Sequence, residues 1–393
     1  MRSRILGPLN ATILLLSLAA FASAASLRVT DALLPRIASQ FDVGLASASG
    51  AITAFSVTYG VMQLLFGPLG DRFGKLRVIS GAAGGAAIAS LACYLAHGFP
   101  ALLVARAAAG GFCACIIPLS MAWIGDVVPY EERQPVLARF LIGQIMGVAG
   151  GAALGGFAAA SADWRWPFGV LGAWLAAACL ALAAAARRDP APRSASSRFF
   201  HDLAGVLSGR WARVVVVIVF LEGMLVFGAL AFVPTHLHFV RGMKLSTAGL
   251  MLVAFGFGGV GFALGVRHAV RRLGETGLAI GGTLLLASGL ALVALVPWPA
   301  FAPAACLLAG FGFYMLHNTL QTNATQMSPA RRGAGMALFA WSYYMGQSAG
   351  VALAGGAAQA WGTTPLIVGA CVLIVPAGLA FARLRAKRPA GAA

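Results

Sequence analysis

Twelve apolar stretches, each close to the ~20 residues that a helix needs to cross a bilayer, dominate this chain of 393 residues. They lie near 11–34, 47–68, 77–96, 99–124, 137–160, 164–186, 211–238, 247–267, 277–297, 300–324, 334–358 and 363–384. Lipid offers no hydrogen bonds to a bare backbone, so a segment inside it must satisfy its own amide groups, as a helix does. A membrane β-barrel would show short alternating segments instead, and these runs do not alternate. Only 10% of the residues are charged, against roughly 25% in a soluble domain. The expected fold class is an all-α membrane protein with twelve transmembrane helices.

The first stretch continues through Val29–Leu34 without a break, so it reads as a span and not as a cleaved leader. The six cysteines, Cys93, Cys113, Cys115, Cys179, Cys306 and Cys371, all fall inside predicted spans. They read as packing residues, with no disulfide framework and no metal site expected.

The formal charge of +17 suggests nucleic acid until the charges are placed. With the N-terminus inside, Arg28 and Arg106 fall within spans, and only Arg36, Arg165, Arg241 and Lys244 lie outside. Every other Lys and Arg falls on the inner side. That bias sets topology, with both termini cytoplasmic, and nucleic acid is not an expected partner. The longest connection, 187–210, carries Asp189-Pro190-Ala191-Pro192 and divides the spans six and six. The predicted organisation is a six-helix bundle at 1–186, a cytoplasmic linker at 187–210, and a second bundle with a short tail at 211–393.

Between the second and third spans the chain reads Gly67-Pro68-Leu69-Gly70-Asp71-Arg72-Phe73-Gly74-Lys75-Leu76-Arg77. Physically this is a tight polar turn in which glycines permit unusual backbone angles. The fifth span repeats glycine at Gly143, Gly147, Gly151 and Gly155, with Gly156 beside it. That spacing places a smooth stripe on one helix face, which lets backbones approach closely in lipid.

The turn resembles the signature loop of the major facilitator superfamily of secondary transporters, matching at Gly67, Leu69, Asp71, Arg72 and Gly74. Lys75 keeps the charge of the next position, Leu76 departs from the pattern, and Arg77 supplies a base one residue later. The resemblance implies that fold in two six-helix bundles, and a cytoplasmic latch in which Asp126, at the end of span four, partners Lys75 or Arg77. The matching loop of the second half reads Gly261-x3-Gly265-Val266-Arg267, then Arg271, Arg272 and Gly274. The motif's acidic residue is missing there, so any latch built from that loop is expected to be weaker. The fifth span is similar to the antiporter signature of drug/proton exporters, with Ala152 where the family has proline. Span ten and its sequel resemble bacterial arabinose-efflux-like exporters. In such exporters an arginine placed like Arg106 is linked to proton coupling.

An ionisable residue inside a span is a functional candidate by default. Glu222 in span seven and Asp31 in span one are the acidic candidates for proton coupling, with Arg106 and Arg28 as basic ones. Asp31 lies three residues after Arg28, so a structural pairing of the two stays open. Candidates for a substrate cavity are Tyr59, Gln63, Gln144, His317, Asn318, Gln321, Tyr343 and Gln347. The few fixed charges suit a small amphipathic organic solute better than a phosphate ester.

The expected function is proton-coupled export by antiport and alternating access. Symport for uptake is the alternative, and a non-transporting receptor or assembly factor a remote one. The expected setting is the bacterial inner membrane, as a multi-pass monomer among lipids. No enzyme chemistry and no cofactor are expected: the acidic residues are not paired, and Gly256–Gly261 lies inside a span without the strand–turn–helix context of a dinucleotide loop.

Overall fold

Alanine, leucine and glycine dominate the long apolar runs, and in each run the backbone closes its own hydrogen bonds as a helix. The computed structural model describes residues 2–187, 199–328 and 331–387. The middle of the predicted linker and the end of the predicted tail lie outside the described residues.

In chain order the helices are α1 (Arg2–Arg28), α2 (Leu34–Phe41), α3 (Leu45–Ala48), α4 (Gly50–Phe73), α5 (Lys75–Tyr94), α6 (Phe99–Cys113), α7 (Ile116–Val127), α8 (Tyr130–Ala159), α9 (Trp166–Ala186), α10 (Phe199–Leu207), α11 (Arg210–Leu230), α12 (Val233–Phe239), α13 (Leu245–Leu295), α14 (Ala302–Ala324), α15 (Arg332–Trp361) and α16 (Thr363–Ala386). Eleven segments among the described residues are long and apolar enough to cross a membrane. The stretch expected at 334–358 lies in α15, a helix of 30 residues that is not among them. Its glycine, serine, tyrosine and glutamine content dilutes its apolar character. Large apolar side chains face outward, with Leu264 85%, Leu180 74% and Ile88 73% exposed. Such a surface suits lipid and not water.

Span two is interrupted at Ser49, between α3 and α4, and three other predicted spans break just ahead of a proline. Span one breaks between α1 and α2, span four between α6 and α7, and span seven between α11 and α12. Proline has no N–H to give to the carbonyl four residues earlier. Pro35, Pro118 and Pro234 follow the three breaks. At the second break the orphaned carbonyl is that of Ala114, and Gln63 Nε2 donates to it at 3.2 Å. Ser23 Oγ donates to the neighbouring carbonyl of Cys113 at 3.1 Å.

By packing, the chain forms two compact units, one of Met1–Thr30 with Ala54–Ser197, the other of Asp31–Thr53 with Arg198–Ala393. In the first unit the glycine stripe of α8 lies on α1. A β-carbon at Gly143, Gly147, Gly151 or Gly155 would run into the carbonyls of Ser17, Phe21, Ala25 and Val29 in turn. In the second unit α15 meets α11 the same way, with Gly346 and Gly350 against the carbonyls of Phe220 and Met224. Also in the second unit, Gln359 Oε1 on α15 accepts from the backbone N–H of Ala46 on α3 at 3.3 Å.

Candidate functional site

Glu222 sits in the middle of α11 among Phe220, Leu221, Met224 and Leu225, fully removed from solvent. A carboxyl group in such surroundings needs a partner, because an uncompensated buried charge is costly. The partner comes from α14: His317 Nδ1 lies 2.7 Å from Glu222 Oε2. The other carboxyl oxygen, Oε1, is buried without a hydrogen-bond partner.

Aromatic rings surround the imidazole. Phe313 stacks on it at 5.1 Å and 23°, Tyr343 approaches to 4.9 Å and Phe339 to 5.4 Å. The glycine next in sequence to Glu222 makes this possible, since a β-carbon at Gly223 would strike the carbonyl of Tyr343. The pair can exist in two forms with a proton between the same two atoms. An ionised carboxylate accepts from the imidazole N–H, and a protonated carboxyl donates to the bare ring nitrogen. The second unit thus holds a titratable pair in an apolar, aromatic shell.

The first unit holds a buried cation. Arg106 on α6 is 1% exposed. Its Nη1 donates to the carbonyl of Ser26 at 3.0 Å. Its guanidinium lies over the Phe55 ring at 4.3 Å and, farther off, over the Phe168 ring at 5.8 Å. Such stacking stabilises a desolvated guanidinium by about 2 kcal/mol. Arg28 and Asp31, also buried, flank the break in span one, Arg28 in the first unit and Asp31 in the second.

At the turn between α4 and α5, Lys75 Nζ meets Asp126 Oδ2 at 2.6 Å and Asp71 Oδ1 at 3.3 Å. Gly74 has φ +91°, which a residue with a β-carbon resists, and this turns the chain so that Lys75 opens α5. Gly70 packs on Leu119 of α7. Arg72 lies over Phe73, Gly67 is half-buried, and Leu69 and Arg77 are exposed.

Of the polar residues singled out in the sequence, His317, Glu222 and Tyr343 come together. Tyr59 is buried and stacks on Phe55, Gln347 is buried and Gln144 is half-buried. Asn318 and Gln321 are exposed on α14. In the second loop Arg271 stands where the first has Asp71. An acidic residue is present directly after Gly274: Glu275 Oε2 accepts from Arg385 Nε at 2.8 Å and from Asn323 Nδ2 at 2.9 Å. The motif spacing hides it, because it follows the last glycine where the first loop has Lys75.

These features agree with a family match across residues 16–332, described as Major Facilitator Superfamily. The chain belongs to the Major Facilitator Superfamily. Members of this superfamily are transporters. The chain is 25% identical over 362 residues to the uncharacterized MFS-type transporter YwfA of Bacillus subtilis (strain 168), covering 89% of this chain and 86% of that protein. It is 29% identical over 166 residues to the fatty acid resistance protein FarB of Neisseria gonorrhoeae, and 27% over 162 residues to the multidrug export protein EmrB of Haemophilus influenzae. Those two matches take in 41% of this chain but only 33% and 32% of the relatives.

Solved structures share the fold of this superfamily member. The bacterial homologue of the human lysosomal transporter Spinster, in its occupied form, has a TM-score of 0.77 at 18% identity, over 97% of this chain and 98% of that one. The D-xylose–proton symporter has a TM-score of 0.71 at 15% identity, over 96% and 97%.

Proposed function

We propose that this transporter exports small organic molecules in exchange for protons, exposing its site to each side of the membrane in turn. The observation that carries the reading is the Glu222–His317 pair, which joins α11 to α14 in a shell of Phe313, Phe339 and Tyr343. A proton held there adds or removes charge beside a carboxyl group fully removed from solvent, so protonation and the wetting of the site are coupled. The aromatic shell suits an amphipathic solute. The partial similarity to FarB and EmrB supports export. The broken spans support a site within the helices, since interrupted helices form the binding sites of many transporters. The reading includes twelve crossings with α15 as the eleventh, both termini in the cytoplasm, action as a monomer in the bacterial inner membrane, and Arg106 as a cation that supports the coupling step.

The test is transport in inverted vesicles under an imposed pH gradient, with a panel of amphipathic amines, fatty acids and aromatic drugs. Proton exit from the vesicle as solute enters is the expected result. Solute and proton moving together would make the protein a symporter. Glu222→Gln and His317→Gln should abolish gradient-driven accumulation while leaving solute exchange at equal pH. Full gradient-driven accumulation in both variants would sink the assignment of the pair.

A further inference from the structure

The loops at Gly74 and Gly274 are counterparts with their charges exchanged. Both glycines hold positive φ, +91° and +62°, and each is followed by the first charged residue of a new helical run. After Gly74 that residue is Lys75. It is held by Asp71, one turn earlier, and by Asp126 at the end of α7. After Gly274 it is Glu275. One turn earlier stands Arg271 in place of an acid, and the partners of Glu275 are Asn323 at the end of α14 and Arg385 near the end of α16.

We infer that Glu275 anchors a second cytoplasmic clamp of reversed polarity, which ties the start of the helical run after Gly274 to the ends of α14 and α16. Its carboxylate is a common acceptor for the two helices. Asn323 is the inner member. It is 1% exposed, its Nδ2 also donates to the carbonyl of Thr319 at 2.9 Å, and its Oδ1 is buried without a partner. Arg385 is the outer member, with 22% of its side chain exposed. The same helix α14 carries His317, less than two turns before Asn323. Glu275 is therefore a positioning residue for α14. Its consequence for proton coupling rests on the reading of Glu222 and His317 proposed above, whereas the clamp itself does not.

Asn323 suits either sign of charge. Its amide donates to a carboxylate now, and its unpartnered Oδ1 would accept from a guanidinium. The exchange of Glu275 and Arg385 should therefore be tolerated, which provides a rescue that simple loss of packing would not.

The experiment is hydrogen exchange on the purified full-length protein in detergent micelles, with no solute and no pH gradient. Glu275→Gln and Arg385→Gln should each speed exchange at the cytoplasmic ends of α14 and α16 about fivefold, the scale of a partly exposed charged pair. The double variant should be no faster than Glu275→Gln alone, because that change already removes the pair with Arg385. Glu275→Arg combined with Arg385→Glu should return exchange to near the parent rate. Parent-like exchange in the single variants, additive effects in the double, or no recovery in the exchanged pair would each overturn the clamp. If Glu275→Gln fails to fold, the exchanged pair decides: folding and parent-like exchange support the clamp, and failure to fold overturns it. A failed clamp would leave the vesicle assay of Glu222 untouched, and a failed vesicle assay would leave the clamp untouched.

Discussion

Gly110 of α6 faces the carbonyl oxygen of Phe55 on α4 so closely that a β-carbon would overlap it. In the second unit Gly310 of α14 faces the carbonyl of Phe255 in the same way, at the same offset in numbering that separates Gly74 from Gly274. Neither close approach survives an added methyl without a shift of backbone. Gly110→Ala and Gly310→Ala should each destabilise the protein by about 1–3 kcal/mol. Gly125→Ala, in α7 with nothing within 4 Å of a new β-carbon, should instead be neutral or stabilise by up to about 1 kcal/mol. Thermal unfolding in detergent separates the cases. Equal melting temperatures for Gly110→Ala and Gly125→Ala would contradict this account.

Arg106 depends on a flat cation between Phe55 and Phe168 as well as on charge. Lysine keeps the charge but loses the stacked plane and its fork of donors. Arg106→Lys should cost about 2 kcal/mol of stability. Phe55→Leu in that background should add less than it does in the parent, because the two changes remove one contact. A double-mutant cycle of unfolding curves checks this, and strict additivity would refute the pairing.

The buried pair makes an asymmetric prediction about stability. His317→Leu leaves the Glu222 carboxylate in apolar surroundings with neither oxygen satisfied. Loss of one partner of a buried pair costs about 3–5 kcal/mol. Glu222→Met combined with His317→Leu removes both polar groups and should recover most of that loss. A double variant that melts below His317→Leu would show that the histidine is not the carboxyl group's essential partner.

Lys75 is the shared member of two ion pairs whose carboxylates are about half exposed. Its removal should therefore matter little to stability. Lys75→Ala should cost no more than about 1 kcal/mol, and the difference from the parent should shrink at high salt as screening shortens the reach of the charges. Melting curves at low and high salt measure this. A large, salt-independent loss would mean that the side chain acts by packing on α7.

Much of the site was legible one residue at a time. Glu222 stood out because a carboxyl group amid Phe220, Leu221, Met224 and Leu225 has no reason to be there unless it is used or paired. His317 stood out as an imidazole in a helix of spanning length. Nothing local linked them. They are far apart in sequence, and their meeting depends on the rotation of α11 and α14 about their own axes. Gln63 shows the opposite case. It reads as a cavity candidate from the sequence, and what the sequence does not announce is that its amide serves the carbonyl that Pro118 leaves open at Ala114. Phe313 and Phe339 carried no signal among 24 phenylalanines, because an aromatic residue in a membrane helix looks the same whether it faces lipid or a histidine.

The fold class was decided by the sequence alone. Long apolar runs can satisfy their backbones in lipid only as helices, and the turn at Gly67–Arg77 carried the family resemblance. Those are properties of composition and local spacing. Tertiary structure decided the partners. It put Glu222 against His317, packed Asp31–Thr53 into the unit of the C-terminal helices, and gave Glu275 the ends of two distant helices to hold. Hydropathy says which residues leave water. It does not say which helix face meets which, and a buried charge is set by the face it meets.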